Sequence, residues 1–133
     1  MDKIAKLLEP YLKDKDFDVV EWATDPKNIL YLDEYDNIAI FEPITDTRYS
    51  GHYYFVQRGK EALVAAKKFL EKFFTENPHI AVLQGFVPVE HLGARWMSRQ
   101  IGLKSYGIEE TTIGPVEMFI LTRNEYMAQR SQG

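Results

Sequence analysis

The residues best suited to chemistry run from Phe55 to Ala62: Phe55-Val56-Gln57-Arg58-Gly59-Lys60-Glu61-Ala62. The aromatic run Tyr53-Tyr54-Phe55 reads as the end of a strand, and a helical pattern begins at about Lys60. A strand that turns through a basic, glycine-containing loop into a helix makes an anion site. The first turn of a helix carries backbone N–H groups without intrahelical partners, and the helix dipole places partial positive charge there. Arg58 and Lys60 add full charges, so the segment suits a phosphate-like group. The plain alternative is a solvated turn with one glycine and two surface cations, because short glycine motifs are weak signals. His52 alternates with Tyr54 and Val56, which puts all three on one strand face. His52, His79 and His91 lack metal-ligand spacing, and with no cysteine to help them no metal site is expected.

These residues need elements to hold them. Asp2 is placed to cap a first helix with Ile4, Leu7, Leu8, Tyr11 and Leu12 on one face, ended by the solvated run Lys13-Asp14-Lys15-Asp16. Val19 to Ala23, Ile29 to Leu32, Ile38 to Glu42 and Tyr49 to Val56 read as strands. Gly51 marks a bulge or a close backbone approach. The main helix carries Ala62, Ala66, Phe69, Leu70 and Phe73 at helical spacing and stops at Asn77-Pro78. Ile80 to Phe86 is a short buried strand. Pro88 suits the first turn of a helix running to about Ile101, with Gly102 as its C-terminal cap. Leu103 to Thr112 and Val116 to Thr122 form a closing hairpin, and the polar tail from Asn124 is expected to fray. The order predicts an α/β (α+β) fold with a mixed sheet covered on both faces.

The composition bounds the rest. A chain of 133 residues, 45% apolar, is expected to form one domain over 1–133. A net charge of -4 argues against nucleic acid. The absence of cysteine excludes disulfides and thiolate chemistry and is compatible with a reducing compartment. No segment approaches the roughly 18 apolar residues of a membrane span. The N-terminus lacks the apolar stretch of a signal peptide, so a soluble, cytoplasmic protein is expected.

The segment from about 18 to 123, most clearly 49 to 122, resembles the GCN5-related N-acetyltransferases (GNAT). That family leads a strand into a loop Arg/Gln-x-x-Gly-x-Gly/Ala whose amides hold the pyrophosphate of acetyl-coenzyme A. Gln57-Arg58-Gly59-Lys60-Glu61-Ala62 stands there. With Gly59 as the first glycine, Val56 replaces Arg/Gln and Glu61 replaces Gly/Ala. The short form Arg-Gly-Lys-x-Ala before an alanine-rich helix looks most like the GNAT-like proteins of tailed bacteriophages. The family's Asn-x-x-Ala, later Tyr, then Gly-Phe is similar to His91-x-x-Ala94, Ser98 and Gly102-Leu103 here.

The resemblance implies a GNAT-like, mostly antiparallel mixed sheet with helices on both faces. It implies acetyl-coenzyme A as cosubstrate, held by Phe55 to Ala62 with His91, and a small-molecule or protein amine as acceptor. It implies a backbone N–H near Tyr53 to Val56 that polarises the thioester carbonyl. An amine must be neutral to attack, and Glu42 and His52 are the candidate bases. Ser98 stands where family members carry a tyrosine that protonates the leaving thiolate, and a serine is a far poorer acid than a phenol. The acidic run Asp33-Glu34-Tyr35-Asp36 is a solvated turn or an edge that attracts a cationic amine.

Two functions follow from the resemblance. One is an N-acetyltransferase acting on a primary amine. The other is a catalytically silent assembly factor, working with phage assembly proteins in head morphogenesis in the host cytoplasm. The hairpin around Gly114-Pro115 leaves edges that could pair two copies as a homodimer. A coenzyme slot requires the strands around Phe55 and Val82 to splay apart.

Overall fold

A computed structural model describes residues 2–11 and 18–132. The N-terminal helix α1 spans Asp2–Leu8 and runs into a 3-10 turn at Glu9–Tyr11. Leu12 and the charged run Lys13 to Asp16 lie outside the described residues. Val19–Ala23, expected as a strand, is the helix α2. Its β-branched start favours a strand locally, but Asp18 Oδ1 accepts the N–H groups of Val20 and Glu21 and caps a helix instead.

Three antiparallel strands follow: β1 (Ile29–Leu32), β2 (Ile38–Pro43) and β3 (Arg48–Tyr54). The main helix α3 covers Gly59–Glu76. Next come β4 (Val82–Pro88), α4 (Leu92–Gln100), β5 (Lys104–Thr111) and β6 (Gly114–Thr122). Pro88 therefore ends a strand rather than opening a helix. Its lack of an N–H is tolerated at the last position of the ladder. Gly102 closes α4 as expected. It has φ +100°, Leu103 N–H donates to Ser98 O at 3.0 Å, and Gly102 N–H donates to Arg99 O at 3.1 Å.

The tail does not fray within the described residues. Arg123–Gln132 is the helix α5. Thr122 and Glu125 make a reciprocal cap: Glu125 N–H donates to Thr122 Oγ1 at 3.2 Å and Thr122 N–H donates to Glu125 Oε1 at 3.0 Å. Tyr126 then buries its ring, stacked on Phe74 at 4.8 Å.

The six strands lie in the order β1-β2-β3-β4-β6-β5, with β3 and β4 the one parallel pair among them. The sheet is mixed, mostly antiparallel and covered by helices on both faces. One face packs Ile38 and Ile40 against Ile4 and Leu8 of α1 and Ala23 of α2. The other packs Phe41, Leu83, Phe119 and Leu121 against the buried stripe of α3, with Phe41 and Phe73 stacked at 4.1 Å. No described helix is long and apolar enough to cross a membrane.

Candidate active site

The sheet opens in its middle. β3 and β4 pair only at Arg48–Val82, Tyr49–Leu83 and Ser50–Gln84. Beyond that point β3 stays with β2 as far as Tyr54, while β4 stays with β6 as far as Pro88. Each strand follows its antiparallel neighbour, so the two part. The expected splay is present, and Val82 sits in its zipped part; the segment opposite Tyr53 to Phe55 is Gly85 to Val87. Gly51 stands at the fork. The ladder is unbroken there, so Gly51 marks no bulge, and a Cβ would make ordinary contact with the side chains of Leu83 at 3.4 Å and Phe41 at 3.5 Å, so it marks no close backbone approach either. The opening continues into a cleft of about 990 Å³ between β3, β4, the start of α3 and α4.

The basic loop borders this cleft. Phe55, Gln57, Arg58, Gly59 and Ala62 line it; Val56, Lys60 and Glu61 do not. Arg58 is the extended N-cap of α3 and makes no side-chain cap, and Gly59 enters the helix at φ +60°, where a side chain would be strained. The Arg58 guanidinium folds back, with Nη1 donating to Phe55 O at 2.7 Å and Gln57 O at 3.2 Å. Gln57 Nε2 donates to Glu61 Oε2.

Asn37, absent from the expected set, governs the loop. Its Oδ1 accepts the N–H groups of Val56 at 3.0 Å and Gln57 at 3.1 Å, and its Nδ2 donates to Gln57 Oε1 at 2.7 Å. Asn37 is completely buried. Two loop amides are therefore engaged before any ligand arrives. The donors left for an anion are the first-turn N–H groups of Gly59, Lys60 and Glu61, which lie outside the helix ladder. Turn composition predicts an asparagine there but says nothing of a partner twenty residues away.

The acidic run belongs to that same turn. Asp33 Oδ1 accepts from the N–H groups of Tyr35 and Asn37, and Asp36 pairs with Lys3 Nζ at 2.7 Å. No carboxylate lines the cleft, which leaves Arg58 as its permanent charge.

The two candidate bases meet on the α1–α2 face of the sheet. His52 Nε2 lies 3.6 Å from Glu42 Oε1. Trp22 Nε1 donates to Glu42 Oε2 at 2.8 Å, and the Trp22 and His52 rings stand edge to face at 5.0 Å. Both side chains are about one-third exposed: His52 34% and Glu42 35%. His52 lines the cleft with Tyr54, and Glu42 stands behind it. Trp22 was not foreseen, because it reaches Glu42 only from the helix that replaces the expected strand.

On the far wall, α4 presents its first turn to the cleft through His91, Gly93 and Ala94. His91 is its N-cap, without a side-chain capping bond. Ser98 also lines the cleft, but its hydroxyl donates to Ala94 O at 2.9 Å. α4 has no fully buried residue; Met97 packs against the core and charge adds to the hold. Glu117 of β6, almost fully buried, accepts from Arg95 Nε at 2.7 Å, from Arg99 Nη2 and from Ser105 Oγ. Burial alone would raise the Glu117 carboxyl, but the Ser105 and Arg95 hydrogen bonds and the charge of Arg99 outweigh it and hold it below the usual carboxylate range. Among the described residues, no group of three or more His, Asp or Glu could hold a metal ion.

Comparison with protein-family models and with curated proteins gives no match. Solved structures do match. An aminoglycoside 6'-N-acetyltransferase complexed with coenzyme A superposes with TM-score 0.70 at 16% identity, over 91% of this chain and 89% of that one. The spermidine N-acetyltransferase SpeG F149A mutant from Vibrio cholerae gives 0.66 at 14% identity, over 97% and 79%. The aminoglycoside acetyltransferase AAC(6')-Ib in complex with coenzyme A gives 0.57 at 17% identity over 71% of this chain, which spans 63% of its length. At such identities a shared backbone is what the comparison establishes: this chain has the fold of the GNAT acetyltransferases.

Proposed function

We propose that this protein is an acetyl-coenzyme A-dependent N-acetyltransferase acting on a primary amine. One observation carries the reading: the strands part beyond Ser50 and Gln84 and open a large cleft free of carboxylates, with a basic helix start at its edge. The residues present fit the cosubstrate. Arg58 and the first-turn amides of α3, from Gly59 to Glu61, suit a pyrophosphate, with Ala62 lining the cleft beside them. Gln57 is held in place by Asn37 and Glu61. Phe55 and His91 line the same cleft. Past the fork, alternate residues of β3 turn their N–H groups away from β2, which suits polarisation of a thioester carbonyl.

In the reaction, the amine nitrogen bonds to the acetyl carbon, the C–S bond breaks, and the bonding pair goes to sulfur. In this reading His52 takes the amine proton, and the Glu42 carboxylate 3.6 Å away favours the resulting imidazolium. Acceptors of the kind named for the structural neighbours, aminoglycosides and spermidine, are small polyamines. A small-molecule amine entering on the His52 face is the acceptor class we propose.

The test is calorimetric titration with acetyl-coenzyme A. Binding is expected, with Arg58→Glu weakening it at least about tenfold, because one favourable charge becomes an unfavourable one. No binding at high micromolar ligand overturns the reading.

A second reading is favoured by Ser98, whose proton is engaged at Ala94 in the place where the family carries an acid. In it the protein is a catalytically silent assembly factor, in keeping with the likeness to phage proteins. Binding without turnover on a panel of polyamines and aminoglycosides selects that reading.

A further inference from the structure

Gln84 of β4 is a polar side chain buried in the wall of the cleft. It is 7% exposed and lines the opening, on the last rung before β3 and β4 part, opposite Ser50. Leu83 packs on the α3 side of the sheet, so alternation turns Gln84 to the face of Ser50 and His52. Arg48, two residues before Ser50 on that face, donates from Nη1 to Gln84 Oε1 at 2.7 Å. A guanidinium can only donate, so this bond settles which way round the amide stands: oxygen towards Arg48, nitrogen away from it. Gln84 Nε2 then holds two N–H donors. Among the described residues no group accepts from it, and it is not one of the unpaired buried atoms closed to solvent. Buried donors are paired in folded proteins, by water or a ligand where the chain supplies nothing.

We infer that Gln84 selects the acceptor: its Nε2 donates to an oxygen of the amine substrate, so the preferred acceptor carries a hydroxyl or carbonyl near its reacting nitrogen. The inference rests on the acetyltransferase reading. By strand geometry His52 stands two residues beyond the Gln84 rung, about 7 Å along β3 and about 5 Å across. A small amine whose nitrogen lies at His52 therefore reaches Gln84 with a group a few bonds away. The Arg48 charge polarises the amide and strengthens its N–H groups as donors. The same charge opposes a second ammonium. A diamine brings donors to donors and a cation towards a guanidinium, and among the described residues no carboxylate lines the cleft to offset either. Gln84 thus divides amino alcohols and amino amides from plain polyamines.

The experiment measures acetyl transfer to short amino alcohols and to diamines of the same chain length, with acetyl-coenzyme A binding followed separately by calorimetry. The unaltered protein should favour the amino alcohols about tenfold in kcat/KM, the worth of one hydrogen bond. Gln84→Glu keeps an oxygen for Arg48 and replaces the free N–H groups by an acceptor. It should bind acetyl-coenzyme A as before and turn the preference towards the diamines. Gln84→Met, with neither group, should abolish the preference without reversing it. Thermal midpoints check that both variants fold, and the preference of the unaltered protein tests the inference even where one does not. A merely structural glutamine would lower both acceptor classes alike or change neither, and either result overturns the inference. So does an unaltered protein that binds acetyl-coenzyme A but favours the diamines or acetylates neither class. If acetyl-coenzyme A does not bind, the acetyltransferase reading falls and this inference with it.

Discussion

Asn37 takes two backbone N–H groups out of the basic loop before an anion can use them. A loop of this kind is expected to offer its amides to the ligand; here the amides of Val56 and Gln57 go to Asn37, and the N–H groups outside the helix ladder are those at the start of α3. Asn37→Ala leaves both part-buried amides without their acceptor. It should cost about 1–3 kcal/mol in urea unfolding and weaken acetyl-coenzyme A binding in the fraction that remains folded. An unchanged unfolding midpoint would show that the loop is held by something else. The pairing of Glu42 with His52 was open to sequence reasoning only in part. Each was recognisable as a strand carboxylate or strand imidazole. Their separation of 3.6 Å depends on the register that sets Ile40 opposite His52 and Glu42 opposite Ser50.

The short helices are where local sequence reasoning went astray, and both times it missed a helix. Val19 to Ala23 looks like a strand by composition, and Asp18 makes it a helix. Arg123 to Gln132 looks like a polar tail by composition, and the Thr122–Glu125 cap makes it a helix. In each case one side chain that satisfies orphan N–H groups outweighs average propensity, which is a weak preference per residue. The pattern Thr122-Arg-Asn-Glu125 was available as the signal. Lys104 Nζ adds an ion pair to Glu125 at 2.5 Å. The Lys104 hydrogen bond and the Thr122 N–H hold the Glu125 carboxyl down to about 2, against an ordinary 4.5. A carboxylate depressed on folding stabilises the protein above its unfolded value and loses that contribution as pH falls through its folded one. Thermal midpoints followed from pH about 5 to about 2 should therefore drop more steeply for the unaltered protein than for Glu125→Gln. Parallel slopes would show that the cap does not couple to protonation.

At the scale of the whole molecule, the cleft exists because the sheet chooses two antiparallel partnerships over one continuous parallel one. Gly85 lies on the open side of β4, and a Cβ added there has nothing within 4 Å. Gly85→Leu should leave the thermal midpoint within about 2 °C, because it enters space rather than packed core, and should abolish acetyl-coenzyme A binding by filling the splay. Retained binding would place the coenzyme elsewhere. β5 forms the outer edge of the sheet, exposed throughout, and its pairing with β6 slips between Ser105 and Ile108. An edge broken in this way is a poor template for continuous pairing with a second sheet.

Composition, periodicity and turn residues by themselves determined the order of the main elements, the buried stripe of α3, the glycine cap of α4 and the basic strand-to-helix turn. These are local: each follows from contacts a few residues apart along the chain. Tertiary structure alone decided that Asn37 reaches the loop, that Trp22 reaches Glu42, and that Tyr53 packs on one side of the sheet while Tyr54 packs on the other. Those relations join residues distant in sequence. They are set by strand register and by the competition between neighbouring ladders, which no local window of the chain contains.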